Sequence, residues 1–207
     1  MSTGTLYDKW SATYDDVENK TRDLEKLVCE RVLSRLSFAN VIEIGSGTGK
    51  NTAWLAANAK NVVSVDLSVA MQAVAREKVK LANVEFRLGD VRNRWDFANG
   101  GADLITCSLI LEHVDDLEFV FEQASQTLSS GGHFYVCELH PFKQYTGSKA
   151  RFETGEGLTV LECFDHHVSD YTRAAGNAGL TITAIEEWFD NDDRSTIPRL
   201  LSCLFRK

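Results

Sequence analysis

The chain has 207 residues, 43% hydrophobic and 25% charged, and its 22 Lys and Arg against 30 Asp and Glu leave a net charge of -8. That length and balance describe one domain, residues 1–207, with a full core, and they disfavour nucleic acid, whose binding rests on cationic neutralisation of phosphates. The five scattered cysteines form no C-x-x-C pair, and neither a signal-type apolar run nor a bilayer-length stretch occurs, so the expectation is a cytoplasmic protein that binds no membrane.

The elements follow in order. Residues 1–20 are polar and aromatic, with Tyr7, Trp10 and Tyr14, and read as an irregular arm that braces the surface or closes a site. Residues 1–38 are thus an arm plus a helix over Arg22–Leu36, whose apolar residues recur at helical spacing. Asn40–Ile44 reads as the first strand. It breaks into Gly45-Ser46-Gly47-Thr48-Gly49, and a helical pattern follows from Asn51 to Ala59. The second strand, Val62–Val65, ends at Asp66, and a helix over Val69–Lys80 has Ser68 as its N-cap. The third strand, Val84–Leu88, ends at Gly89-Asp90. The fourth is Ala102–Cys107. A helix over Leu117–Leu128 stops at Ser129-Ser130-Gly131-Gly132, before a fifth strand at His133–Leu139. Residues 140–168 break the rhythm and read as a lid, then a helix spans Tyr171–Ala178. Leu180–Trp188 and Leu200–Phe205 complete the chain as an antiparallel strand pair around the acidic turn Asp190–Asp193, which needs no metal. Strands alternating with helices predict an α/β fold on a parallel sheet.

Three acids end three strands. Glu43, Asp66 and Asp90 all fall on the edge where open parallel sheets bind ligands. Glu43 suits an amine or sulfonium and repels a pyrophosphate. Asp66 lies about 20 residues beyond Gly45, the separation at which a carboxylate takes ribose hydroxyls. Asp90 can accept from an exocyclic amine such as adenine N6. The spacing Gly45-x-Gly47-x-Gly49 departs from the dinucleotide fingerprint G-x-G-x-x-G, so an adenosyl-methionine ligand fits better than NAD.

Glu43-Ile44-Gly45-Ser46-Gly47-Thr48-Gly49, Asp66, Gly89-Asp90 and Asp103–Ser108 together resemble the class I S-adenosylmethionine-dependent methyltransferases. The opening Tyr7–Asp15 is similar to the arm of the branch that includes the ubiquinone- and menaquinone-type enzymes. The resemblance implies a Rossmann-like three-layer sandwich with a seven-stranded, mostly parallel sheet of order 3-2-1-4-5-7-6 and an antiparallel last strand. It implies S-adenosyl-L-methionine as cofactor, S-adenosyl-L-homocysteine as product, and a small molecule methylated on O, N or S by a monomer or homodimer. A non-catalytic sensor or partner subunit that keeps the fold and binds the same ligand is the alternative.

The cofactor set implied is Tyr14, Glu43, Gly45, Ser46, Gly47 and Gly49, then Asp66 and Leu67, Asp90 and Val91, Ser108 and Leu109. His113 is either a site residue or part of the strand–helix connection. His140 and His167 fall on the ligand edge as candidates for general base or substrate anchor, with His166 beside them. Lys143, Tyr145, Lys149 and Arg151 give the lid donors suited to an anionic acceptor.

Overall fold

The structure, a computed structural model, describes residues 3–98, 100–154 and 157–207, with the backbone alone at 151–154 and 157–158. Five parallel strands, β1 (Asn40–Ile44), β2 (Asn61–Asp66), β3 (Val84–Leu88), β4 (Ala102–Ser108) and β5 (Leu128–Leu139), are joined by β8 (Thr181–Trp188) and β9 (Leu200–Arg206). The sheet order is β3-β2-β1-β4-β5-β9-β8, with β9 antiparallel to both neighbours. Counted within this sheet, that is the expected 3-2-1-4-5-7-6. A separate two-stranded ribbon, β6 (Arg151–Thr154) with β7 (Gly157–Val160), lies in the lid segment.

The central strands β1, β4 and the second half of β5 are buried on both faces, which is why they read as nearly continuous apolar runs. Ile42, Ile44, Ile105, Phe134 and Val136 face α5 (Leu117–Thr127) and α7 (Val168–Asn177), meeting Val120, Phe121 and Ala174. Val41, Leu104, Tyr135 and Cys137 face the opposite layer, where α2 (Lys20–Leu33) and α3 (Thr52–Asn58) supply Val28, Val32 and Leu55. Glu43 alternates with Ile42 and Ile44, so it points toward α2 and α3.

Several boundaries differ from the sequence reading for local reasons. The arm opens as a helix, α1 (Thr3–Trp10), instead of running irregularly. It packs on α4 (Val69–Lys78), where Asp8 Oδ1 accepts from Ser68 Oγ (2.6 Å) and Ala70 N–H (3.1 Å) and so caps the start of α4. The helix α2 starts at Lys20 because Asn19 Oδ1 accepts from Thr21 N–H (3.0 Å) and Arg22 N–H (3.1 Å). Strand β5 begins at Leu128, and the serine–glycine run expected as a stop is a bulge within it, between the pairs Ala102–Leu128 and Leu104–His133. The helix α7 begins three residues early, His167 N–H donating to Asp170 Oδ2 (2.8 Å).

The segment expected as a lid contains α6 (Pro141–Tyr145) and the ribbon. Its returning half is stitched to the body. Phe164 N–H donates to Glu112 C=O (2.7 Å), and His166 Nε2 donates to Val114 C=O (2.7 Å) and Leu111 C=O (3.1 Å). Among the described residues no helix is long and apolar enough to cross a membrane.

The loop after β4 hangs on one buried acid of β5. Glu138 Oε1 accepts from Ile110 N–H (3.2 Å) and Leu111 N–H (3.1 Å), and burial pushes this carboxyl well above the usual range against the pull of those two N–H groups. Glu138→Gln keeps the acceptor and should change stability by less than about 1 kcal/mol, whereas Glu138→Ala should lose about 2 kcal/mol by orphaning two buried N–H groups. Urea unfolding midpoints of the two variants measure this.

Candidate active site

A cleft of about 1040 Å³, its open mouth included, lies at the carboxyl ends of β1 to β4. The turn after β1 forms its floor. Gly45, Gly47 and Gly49 all have positive φ, at 69°, 54° and 80°. The glycines serve different ends. A Cβ on Gly45 would meet Ile110 Cγ2 at 2.3 Å, so the missing side chain at Gly45 makes room for Ile110. A Cβ on Gly47 would meet nothing within 4 Å, which leaves the backbone bare toward the cleft.

Asp66, at the end of β2, ties this turn to the next. Its Oδ2 accepts from Gly47 N–H (2.7 Å) and its Oδ1 from Ser68 N–H (2.8 Å). Each oxygen keeps a second lone pair for a ligand hydroxyl. Loss of water raises its pKa, and the backbone N–H groups oppose that rise. Asp90 is engaged differently from the expected free acceptor. Arg92 holds it through Nη2 to Oδ2 (2.6 Å) and Nε to Oδ1 (2.9 Å), which keeps the carboxyl below its ordinary range. Both residues line the cleft beside Val91.

The inner wall is acidic. Burial pushes Glu43 up to about 8, with Thr52 Oγ1 donating to it at 2.5 Å and the charges of Glu25 and Asp66 raising it further. Glu25, on α2, is also buried and raised, and accepts from Asn51 Nδ2 at 3.1 Å on each oxygen. Several buried polar atoms on these walls lack a hydrogen-bond partner among the described residues: Ser46 Oγ, Thr106 Oγ1, Ser108 Oγ, Asn51 Oδ1 and Arg22 Nε. Such orphans are rare in a finished core and mark where a polar ligand completes the bonding.

All twelve residues expected at the cofactor except Gly49 line this cleft. Gly49 packs instead against α4, its Cβ position 3.2 Å from Ala75 and Val79. Leu109 takes a left-handed φ of 56°, held by its N–H on Cys137 C=O (2.9 Å). The helix α2 adds Arg22 and Glu25, which sequence reasoning missed. They occupy the inward stripe continued by Cys29 and Val32, and a charge at such a position was the available signal.

The histidines part company. His113 lines the cleft: its Nδ1–H donates to Glu162 C=O (2.8 Å), so its Nε2 accepts from Tyr7 O–H (2.9 Å). His140 lies apart from the cleft and has no free ring nitrogen, since Nε2 meets Glu187 Oε1 (3.1 Å) and Nδ1 accepts from Phe142 N–H (3.1 Å). His167 also lies apart, its Nδ1 bonded to Tyr145 O–H (2.5 Å). His166 is buried under the 111–114 loop. Lys143 and Tyr145 do not line the cleft, and the Arg151 side chain lies outside the described residues.

The two glycine environments predict a split. Gly45→Ala should lower the melting temperature sharply, because Ile110 and the loop held by Glu138 must shift. Gly47→Ala should cost only the left-handed penalty of about 1–2 kcal/mol. Thermal denaturation of the two variants side by side tests this.

Comparison with known proteins agrees with this geometry. Residues 42–136 match the methyltransferase domain family. The biotin biosynthesis bifunctional protein BioHC of Cellvibrio japonicus is 29% identical over 135 residues, 65% of this chain and 26% of that protein. A demethylmenaquinone methyltransferase of Tropheryma whipplei is 31% identical over 115 residues, 54% of this chain and 46% of that protein. The chain thus spans between about a quarter and a half of these relatives. The solved complex of DhpI with SAM and HEP superposes with a TM-score of 0.77 at 21% identity, covering 100% of both chains. Over residues 42–136 the chain is thus similar to the methyltransferase domain family, and its sheet order and fold are shared with the solved DhpI complex.

Proposed function

We propose that the protein transfers a methyl group from S-adenosylmethionine to a small-molecule acceptor. The observation that carries this is the cleft itself: bare backbone at Gly47, raised acids at Glu25 and Glu43, and orphaned polar atoms around them. In this reading Asp66 takes the ribose through its remaining lone pairs. Asp90 and Val91 flank the base, and the methionine tail runs over Gly47 toward Ser108 and Glu25. When bound, S-adenosylmethionine supplies an electrophilic methyl on a sulfonium. The chain's own work is alignment and exclusion of water. Tyr7 and Tyr14 cover the cleft, with the ring centres of Tyr14 and Trp10 4.8 Å apart. Where the attacking atom carries a proton, Tyr7 and His113 are the pair placed to hold it. Tyr7 O–H already points at His113 Nε2, and burial keeps that hydroxyl protonated at neutral pH. His140 and His167 are left with capping and positioning roles.

Titration calorimetry with S-adenosylhomocysteine should show one site, and Asp66→Ala should weaken it by about a hundredfold, because that carboxylate both shapes the turn and meets the sugar. A wild-type isotherm with no heat would refute the reading.

Glu43 adds a pH dependence. Its carboxyl is protonated below about 8 in the free protein, and a cationic ligand beside it favours the ionised form. Binding of S-adenosylmethionine should therefore release protons and tighten as pH rises from 6 to 8, then level off. Titrations in buffers of different ionisation enthalpy read the protons directly, and Glu43→Gln should flatten the slope.

A further inference from the structure

A second cavity of about 910 Å³, its open mouth included, lies between the arm, the first turn of α2 and the lid segment. It shares a wall with the first cleft, because Tyr7, Tyr14, Arg22 and Leu109 line both. We propose that this second cavity is the acceptor site, and that it takes an amphipathic anion: an apolar or aromatic body carrying a carboxylate or a phosphate-like group. The inference rests on the methyl-transfer reading above, which fixes where donor and acceptor must meet.

Arg22 is the first observation. Its residue is 9% exposed, and its guanidinium lies 4.0 Å from the Tyr14 ring centre. Its Nη1 and Nη2 donate only to uncharged carbonyls, of Tyr14 (2.5 Å) and Val17 (2.8 Å), while Nε has no partner among the described residues. A buried guanidinium without a counter-charge is costly, and an anion at this wall removes the cost. Lys149 and Arg199 bring two further cations to the same cavity, in a chain whose net charge is -8. Arg199 is anchored by Asp190, through Nε to Oδ1 and Nη2 to Oδ2 at 2.5 Å each, so it serves as a rigid wall. Lys149 is exposed and supplies the mobile charge.

Glu112 is the second observation. It is 7% exposed, lines the second cavity, and its Oε2 lacks a partner among the described residues. Burial raises its pKa, while His113 and Cys163 oppose the rise, so this carboxyl takes up a proton more readily than a free one and can then donate to an anion. The aromatic faces of Tyr7, Trp10 and Tyr14 with Leu139 supply the apolar floor. An anion seated on Arg22 and Lys149 leaves the rest of the molecule against Tyr7, where the two cavities join.

Calorimetry on the full chain separates the two readings. S-adenosylhomocysteine is titrated first and reports on the donor cleft alone. Phenylacetate, phenylphosphonate and the uncharged phenylacetamide are then titrated into protein mixed with S-adenosylhomocysteine. At least one acid should bind about tenfold more tightly than the amide, as one charge-assisted contact gives, and the better of the two says whether a planar or a tetrahedral anion is preferred. Lys149→Glu, a surface change, should weaken that acid about fivefold or more and leave the S-adenosylhomocysteine isotherm unaltered. Equal binding of acids and amide, absence of acid binding, or indifference to Lys149→Glu overturns the proposal. So does acid binding that S-adenosylhomocysteine abolishes, because Arg22 then serves the donor's own carboxylate. If S-adenosylhomocysteine fails to bind while an acid still outbinds the amide, the anion site stands and the methyl-transfer reading falls.

Discussion

The site depends on one carboxylate with two masters. Asp66 accepts from Gly47 N–H in the first turn and Ser68 N–H in the second, so a single side chain fixes the spacing of two strand ends. Charge-assisted bonds to backbone amides are among the stronger ones a fold uses. They hold the Gly47 backbone open to the cleft. Asp8, reaching in from α1, bonds Ser68 as well and ties the arm to the same node. Position of the floor, the start of α4 and closure by the arm are thereby linked through a few adjacent polar groups.

The inner wall is a stored electrostatic imbalance. Glu25, Glu43 and Asp66 are all raised by loss of water, hydrogen bonds oppose the rise in each, and the charges of Glu25 and Asp66 lift Glu43 further. Consistency between levels is the rule in a stable core, and departures gather where function needs them. Here the departures lie together: raised acids, unpaired hydroxyls and a left-handed leucine at Leu109 around one cleft, and an uncompensated Arg22 at its border. A cationic, polar ligand resolves the acids and the hydroxyls, while an anion resolves Arg22. The two cavities accordingly have opposite preferences across a shared aromatic wall.

The arm and the lid segment owe their order to the body beneath them. Tyr7 and Trp10 stack at 5.8 Å, and Asp15 accepts from Thr48 Oγ1 at 2.9 Å, which docks the arm on the glycine turn. Residues 161–166 are sewn to the 111–114 loop through backbone carbonyls, and Glu162 C=O fixes the tautomer of His113. A segment that read as a cover over the site is thus partly a support for it.

The amino-acid order alone determined the sheet, its helices and the ligand edge. Apolar runs of strand length, helical spacing between them and glycines at alternate positions are local signals, and β1 to β4 and the second half of β5 lie where those signals put them. The acids Glu43 and Asp66 were legible because strand ends fix which edge a residue occupies. Tertiary structure decided what pairs with what. Arg92 takes Asp90, Glu187 and Phe142 occupy His140, and Glu162 orients His113, and each of these contacts except Arg92 and Phe142 spans dozens of residues along the chain. Arg22 and Glu25 looked like part of a packing helix until the sheet showed which way that helix faces. A side chain's chemistry is written in the sequence, but its partners are set by packing, which brings distant residues within hydrogen-bond reach.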